Sequence, residues 1–235
     1  SPIADDTIIK AMEIMKCDLF QVYGLTETTG AITIMMPDDH DPSKGKLRSC
    51  GKALDGVELK VVDEEGNDLE TGQIGEVISK SDLNMKGYWN KPEATKESIV
   101  DGWFYSGDAG FFDQEGYLFI HDRVKDMIVS GGENIYPAEV ENALMSHNEI
   151  LDAAVVGVPD DKWGESVKGF VVIGENSSLK EEDIISYSRT QIAAYKCPKS
   201  IEFIKELPRN PSGKILRREL RDPYWEGIDR NVSGN

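Results

Sequence analysis

Along the chain the spacing of apolar positions changes period twice. Near the amino terminus Ile8, Ile9, Met12 and Met15 recur at three-to-four spacing, which predicts a helix. An apolar strand is expected over 19–23, followed by a polar loop over 24–30. From about residue 45 to 120 the period becomes two. Val57, Leu59 and Val61 alternate with Glu58 and Lys60, and 64–67 reads as a turn. Residues 74–79 read likewise, as do 110–113 with 117–121 across a turn at 114–116. This stretch is expected to be β-rich, antiparallel and partly barrel-like.

After Arg123 the pattern changes again. Residues 127–129 form a strand candidate and 130–134 a tight polar turn. Pro137 suits the first turn of a helix that places Val140 and Leu144 on one face. Strands are expected at 153–158, 169–173 and 200–204, an amphipathic helix at 180–192, a loop at 210–213 and a short helix at 214–220. This β-α-β-β-α-β order predicts a small, self-contained α+β domain. The expected fold class is therefore α/β to α+β. A β-rich end of a larger domain occupies 1–124, a small α+β domain 125–222 and a flexible tail 223–235.

Composition narrows the function classes. The chain has 235 residues, of which 39% are hydrophobic, enough for a real core. No apolar run approaches the ~20 residues a membrane span needs, and residues 1–6 carry no leader pattern. Lys and Arg number 26 against 43 Asp and Glu, a net charge of −17. So acidic a surface repels phosphate backbones and anionic lipid, so no nucleic-acid partner is expected. A small anionic ligand stays open to it, since one local basic cluster can hold a phosphate. Cys17, Cys50 and Cys197 are odd in number and scattered, as are His40, His121 and His147. They suggest neither a disulfide framework nor a metal site, and fit a reducing, cytoplasmic setting.

Candidate chemistry begins with exclusions. Pro211-Ser212-Gly213-Lys214 resembles the end of a P-loop, but residue 208 is proline and Ile215 stands where Ser or Thr is required. No G-x-G-x-x-G follows a strand, and no G-x-S-x-G is present. Four segments remain more specific than loops need to be. In Tyr23-Gly24-Leu25-Thr26-Glu27 a ring could stack on a base, hydroxyls could meet phosphate, and Glu27 could hold Mg²⁺. In Tyr105-Ser106-Gly107-Asp108 a carboxylate after glycine could accept two ribose hydroxyls. Asp122-Arg123-Val124-Lys125-Asp126 precedes the Ser130-Gly131-Gly132 turn. In 207–214 two prolines and a glycine shape the chain around Lys214. Each is equally open to a plain structural reading: a Thr-rich turn with Tyr23 in the core, a hairpin whose Asp caps its own backbone, a solvated connector, and a turn leading into a helix.

In this order, these segments resemble the adenylate-forming ligases, and specifically the acyl-CoA synthetases. Gly87-Tyr88-Trp89-Asn90-Lys91-Pro92-Glu93-Ala94-Thr95 and Pro159-Asp160-Asp161-Lys162-Trp163-Gly164-Glu165 add two further family signatures. The resemblance covers about residues 18–221 and fits the carboxy-terminal half of such an enzyme. The family's Ser/Thr/Gly-rich triphosphate loop and most of its acyl pocket lie upstream of these motifs. The resemblance implies that ATP activates a carboxylic acid, expected to be fatty, as acyl-AMP, and that coenzyme A then takes the acyl group.

It also implies roles. Lys214 would be the catalytic lysine, Tyr23 and Gly24 would lie at the nucleotide, Thr26 near the α-phosphate and Glu27 on Mg²⁺. Asp108 and Arg123 would hold the ribose and Lys125 would be the hinge, a lysine there tilting toward the fatty-acyl and medium-chain branch. Gly131 and Gly132 would approach the pantetheine channel, and Trp163, Tyr195 and Lys196 would form a coenzyme A surface, unless Trp163 simply packs. A carrier-protein acceptor, a non-catalytic nucleotide- or protein-binding fragment, and homo-oligomerisation are left open.

Overall fold

The computed structural model describes residues 5–175, 177–211 and 213–228. It divides into two compact units, Ser1–Val124 and Lys125–Asn235.

The first unit opens with helix α1 (Asp5–Met15), whose Ile8 is buried while Met15, at its end, is exposed. Strand β1 (Gln21–Leu25) then pairs with β2 (Gly30–Met35), and β2 with β3 (Lys52–Ala53), all antiparallel. The polar segment expected to be a loop over 24–30 is thus mostly the corner of a hairpin. A second sheet contains β4 (Glu58–Val62), β5 (Gly75–Lys80), β6 (Ile99–Val100), β7 (Trp103–Phe112) and β8 (Leu118–Arg123), with helix α2 (Pro92–Ser98) leading into β6. The ten-residue β7 pairs with β5, β6 and β8. Among the described residues no pairing returns to β4, so the sheet stays open where a partial barrel was expected. Val61, Val77 and Leu118 form its core, with Tyr23, Leu59 and Ile120 packed against them.

The second unit is one five-stranded sheet covered on both faces. It contains β9 (Ile128–Ser130), β10 (Glu133–Ile135), α3 (Pro137–Met145), β11 (Ile150–Asp160), β12 (Gly164–Ile173), α4 (Glu181–Gln191), β13 (Ser200–Phe203) and α5 (Arg217–Arg221). The order is β10-β9-β12-β11, and β13 runs parallel to β12 after the α4 crossover. Side chains alternate across β11. Ala153 and Val155 join Val140, Leu144 and Ile184 on the helical side. Ala154 and Val156 join Phe170 and Leu207 on the other, where Ile215 and Leu220 pack. The last helix begins at Arg217, three residues later than the sequence pattern suggests. The tail expected from residue 223 is partly anchored. Tyr224 donates to Glu202 Oε2 (2.8 Å) and Trp225 Nε1 to the carbonyl of Gly157 (2.9 Å). Residues 229–235 of that tail lie outside the described residues.

Candidate functional site

In the first unit, Asp108 is placed by two irregularities of β7. Against β5 the register passes from Glu76↔Ala109 to Ile78↔Tyr105, so Ser106, Gly107 and Asp108 together face Val77. Side chains satisfy this bulge. Ser106 Oγ donates to the carbonyl of Val77 (2.6 Å) and accepts the amide of Asp108 (3.0 Å), while the amide of Gly107 donates to Glu76 Oε1 (2.8 Å). Against β8 a second shift leaves Asp108 opposite Arg123.

The carboxylate is held at both oxygens. Tyr23 Oη donates to Oδ2 (2.7 Å) and Arg123 Nε to Oδ1 (2.8 Å). The Asp108 side chain is 9% exposed and that of Arg123 is 42% exposed, so the pair runs from interior to solvent. Burial, and next the charge of Asp108, push the Tyr23 phenol far above its usual range, so it stays a donor. The Tyr23 ring packs on the core, as the plain structural reading expects, and its hydroxyl is bonded to Asp108. The Asp108 carboxylate takes these two partners rather than capping its own hairpin.

Thr26–Thr28 is a 3-10 turn. Thr26 is exposed, whereas Thr28 is fully buried and donates to the carbonyl of Gly30 (2.8 Å). Glu27 Oε1 accepts from Tyr88 Oη (3.0 Å), and its carbonyl accepts from Met85 N (2.6 Å). Burial, followed by this bond, raises the Tyr88 pKa. Gly24 cannot be replaced cheaply, because a Cβ there would collide with the Gly30 carbonyl oxygen.

In the second unit, Gly131 and Trp163 come together. The Gly131 amide donates to the Trp163 carbonyl (2.8 Å), and a Cβ on Gly131 would meet the Trp163 ring at 2.7 Å. Gly131 also has φ +62° and Gly132 φ +86°, which carry the turn between β9 and β10. Trp163 is 44% exposed, with Lys162 Nζ 4.4 Å from its ring centroid. Tyr195 is also exposed. Its neighbour Lys196 reaches both carboxylate oxygens of Glu139 (2.8 and 2.7 Å). Desolvation opposes the Lys196 ammonium, but Glu139 outweighs it and raises the pKa. Lys125 lies in the 3-10 turn Val124–Asp126. Lys214 is exposed, in the loop before α5.

Glu76, Tyr88, Glu139 and Asn210 were given no individual role from the sequence. The first three act across 31, 61 and 57 residues, a separation no local pattern reports. Asn210 is different, bonding the amide of Lys214 four residues away, and its Asn-Pro-Ser-Gly context is a turn signal. Among the described residues no group of three or more His, Cys, Asp or Glu is gathered as metal ligands. Nor is any helix long and apolar enough to cross a membrane.

The sequence matches two parts of one family, "AMP-binding enzyme" over residues 1–89 and "AMP-binding enzyme C-terminal domain" over residues 139–214. A fatty acid–[acyl-carrier-protein] ligase of Streptomyces coeruleorubidus is 43% identical over 99% of the chain and 45% of its own length. A long-chain-fatty-acid–CoA ligase of Mycobacterium tuberculosis is 42% identical over 93% of the chain and 42% of its own length. The solved o-succinylbenzoate CoA synthetase of Bacillus subtilis, in complex with its acyl-adenylate intermediate, superposes with TM-score 0.86 at 37% identity. That match covers 94% of this chain and 44% of the synthetase. The chain thus spans under half the length of the relatives it matches. Its α+β architecture agrees with theirs, and the chain belongs to the AMP-binding enzymes, in the superfamily of adenylate-forming ligases.

Proposed function

We propose that the protein carrying this chain is an AMP-forming acid–thiol ligase. A carboxylate attacks the α-phosphate of ATP, giving acyl-AMP and releasing pyrophosphate. A thiol then attacks the acyl carbon, giving a thioester and AMP. The observation that carries this reading is the Tyr23–Asp108–Arg123 chain, a carboxylate fixed at both oxygens, whose Tyr23 lies in the stretch 1–89 that matches the AMP-binding family. A carboxylate has about four lone-pair sites. Two are occupied, so two remain for a pair of ribose hydroxyls, and Arg123 leads outward to solvent.

Glu27 suits Mg²⁺ in the same way. Tyr88 occupies one oxygen, and Mg²⁺ ordinarily takes one or two carboxylates together with phosphate oxygens and water. Held there, the ion would neutralise phosphate charge. Thr26, exposed beside it, is assigned to the α-phosphate. Two anions meet in the first step, so a fixed cation matters most there, and Lys214 is assigned to it. Lys125 is assigned as the hinge, and Gly131, Gly132, Trp163 and Tyr195 as the surface for the thiol's carrier. The acid is assigned as fatty, in keeping with the fatty-acid ligases among the relatives.

Coenzyme A is the proposed thiol. A phosphopantetheinyl carrier protein is the second reading, favoured by one observation: the relative at 43% identity is named an acyl-carrier-protein ligase. The test uses the complete protein. Pyrophosphate should exchange into ATP only when acid is added, and Lys214→Ala should slow that exchange by about 10²–10³-fold. Thioester formation from supplied acyl-AMP should persist, and coenzyme A should compete against a holo-carrier protein as acceptor. Equal loss of both half-reactions in Lys214→Ala would sink the assignment of Lys214.

A further inference from the structure

The loop that presents Lys214 is more constrained than a solvated lysine requires. Its stem is closed by the Arg209↔Ile215 bridge and by the amide of Leu216 donating to the carbonyl of Pro208 (2.8 Å). Both ends are sunk in the sheet, since Leu207 and Ile215 pack with Ala154, Val156 and Phe170. Inside the stem, among the described residues, Asn210 makes three turn-closing bonds. The amide of Asn210 donates to the carbonyl of Lys214 (2.9 Å), and its carbonyl accepts from Gly213 N (2.9 Å). Its side-chain Oδ1 accepts the amide of Lys214 itself (2.9 Å). Arg209 braces the far side, reaching the carbonyl of Gly213 (2.7 Å) and Asp152 Oδ2 on β11 (2.7 Å).

The alternative, that Asn210 caps a helix, does not fit. Helix α5 begins at Arg217 with Leu216 at its N-cap position, and no side chain caps it. The Asn210 side-chain oxygen accepts from the Lys214 amide instead. Both backbone groups of Lys214 are therefore bonded to one residue, while its side chain projects from an exposed position.

We propose that Asn210 is a positioning residue for Lys214, with Arg209 and Asp152 tying the loop to the sheet. The proposal rests on the assignment of Lys214 to the adenylation step. A lysine side chain has large rotamer freedom, so fixing its backbone is what narrows where its ammonium can reach. A misplacement of about 1 Å in such a group can slow a reaction by about 10²-fold.

The experiment measures both half-reactions of the complete protein for Asn210→Ala, Asn210→Asp and Lys214→Ala, and for the double variant Asn210→Ala with Lys214→Ala. Asn210→Ala should slow acid-dependent pyrophosphate exchange by about 10–10²-fold while leaving thioester formation from supplied acyl-AMP within about twofold. Asn210→Asp keeps an acceptor at the same atom and should restore most of the exchange. The double variant should be no slower than Lys214→Ala alone, because only one function is being removed. A loss shared equally between the half-reactions, an unchanged exchange rate, or an Asp variant as slow as the Ala variant would each overturn the role of Asn210. If Lys214→Ala itself leaves exchange intact, the functional reading fails first, so the two failures are distinguishable.

Discussion

The carboxylate of Asp108 and the ammonium of Lys214 are held in opposite ways. Asp108 is nearly buried, and two side chains from other strands lock both of its oxygens. Lys214 is exposed, its backbone is locked, and among the described residues nothing pairs with its ammonium. A carboxylate has acceptor sites to spare, so prior partners orient it without exhausting it. A lysine that must meet an anionic reactant gains nothing from a resident carboxylate, which would have to be displaced. In a chain with 43 acidic residues such freedom needs arranging. Carboxylates of the same unit are already engaged, Asp152 by Arg209 and Glu141 by Arg217 (2.7 Å each).

The most damaging way to break this contrast is Asp108→Ala. It removes two charge-assisted bonds and leaves the buried Tyr23 hydroxyl and the Arg123 guanidinium without their acceptor. A stability loss of about 3 kcal/mol is expected, from the penalty for stranding buried polar partners. The KM for ATP should rise by about 10²-fold, the loss expected for two bonds of this kind. Thermal melting and initial rates across ATP concentrations measure both. An unchanged KM would mean that Asp108 is only a structural brace.

Gly131→Ala probes the other unit with a smaller expected effect. The new methyl would meet the Trp163 ring, at a residue whose φ is already left-handed. A loss of about 1–2 kcal/mol is expected from strain and overpacking together. If Gly131 and Trp163 form the acceptor surface, thioester formation from acyl-AMP should fall more than pyrophosphate exchange does. The reverse ratio would remove both residues from that surface.

What was legible in the sequence was local. The turn at 114–116 joins β7 to β8 as the alternation predicts, with Phe111↔Phe119 and Phe112↔Leu118 paired across it. Pro137 opens α3, and Val140 and Leu144 are fully buried. Strand β2 was not anticipated, because 31–36 is a nearly continuous apolar run without the alternation that marks a half-buried strand. Ser106-Gly107-Asp108 has the composition of a turn, yet it is a bulge inside the longest strand of its sheet. Only Glu76 and Val77, some 30 residues earlier, make that possible. For the candidate site, the motif pattern named Tyr23, Asp108 and Arg123 but could not show that they touch. That contact depends on a register shift in β7, which is a property of strand pairing and not of composition.

The subtlest expected effect belongs to Glu76, which lies beneath Asp108. Burial, opposed by the Gly107 amide and reinforced by the charge of Asp108, raises its pKa. The sign follows from linkage. A carboxyl whose folded pKa exceeds its unfolded value binds its proton more tightly when folded, so it loses stability as pH rises between the two values and stays penalised above them. Glu76→Gln keeps an acceptor for the Gly107 amide but removes the charge. At pH 7 the variant should therefore melt slightly higher than the parent protein, and the advantage should shrink as pH falls toward the unfolded value near 4.3. A variant that melts lower at pH 7 would show that the Gly107 bond needs the full charge. The bulge that places Asp108 would then be held by a charge-assisted hydrogen bond, and the site would depend on the ionised Glu76 carboxylate as well as on its shape.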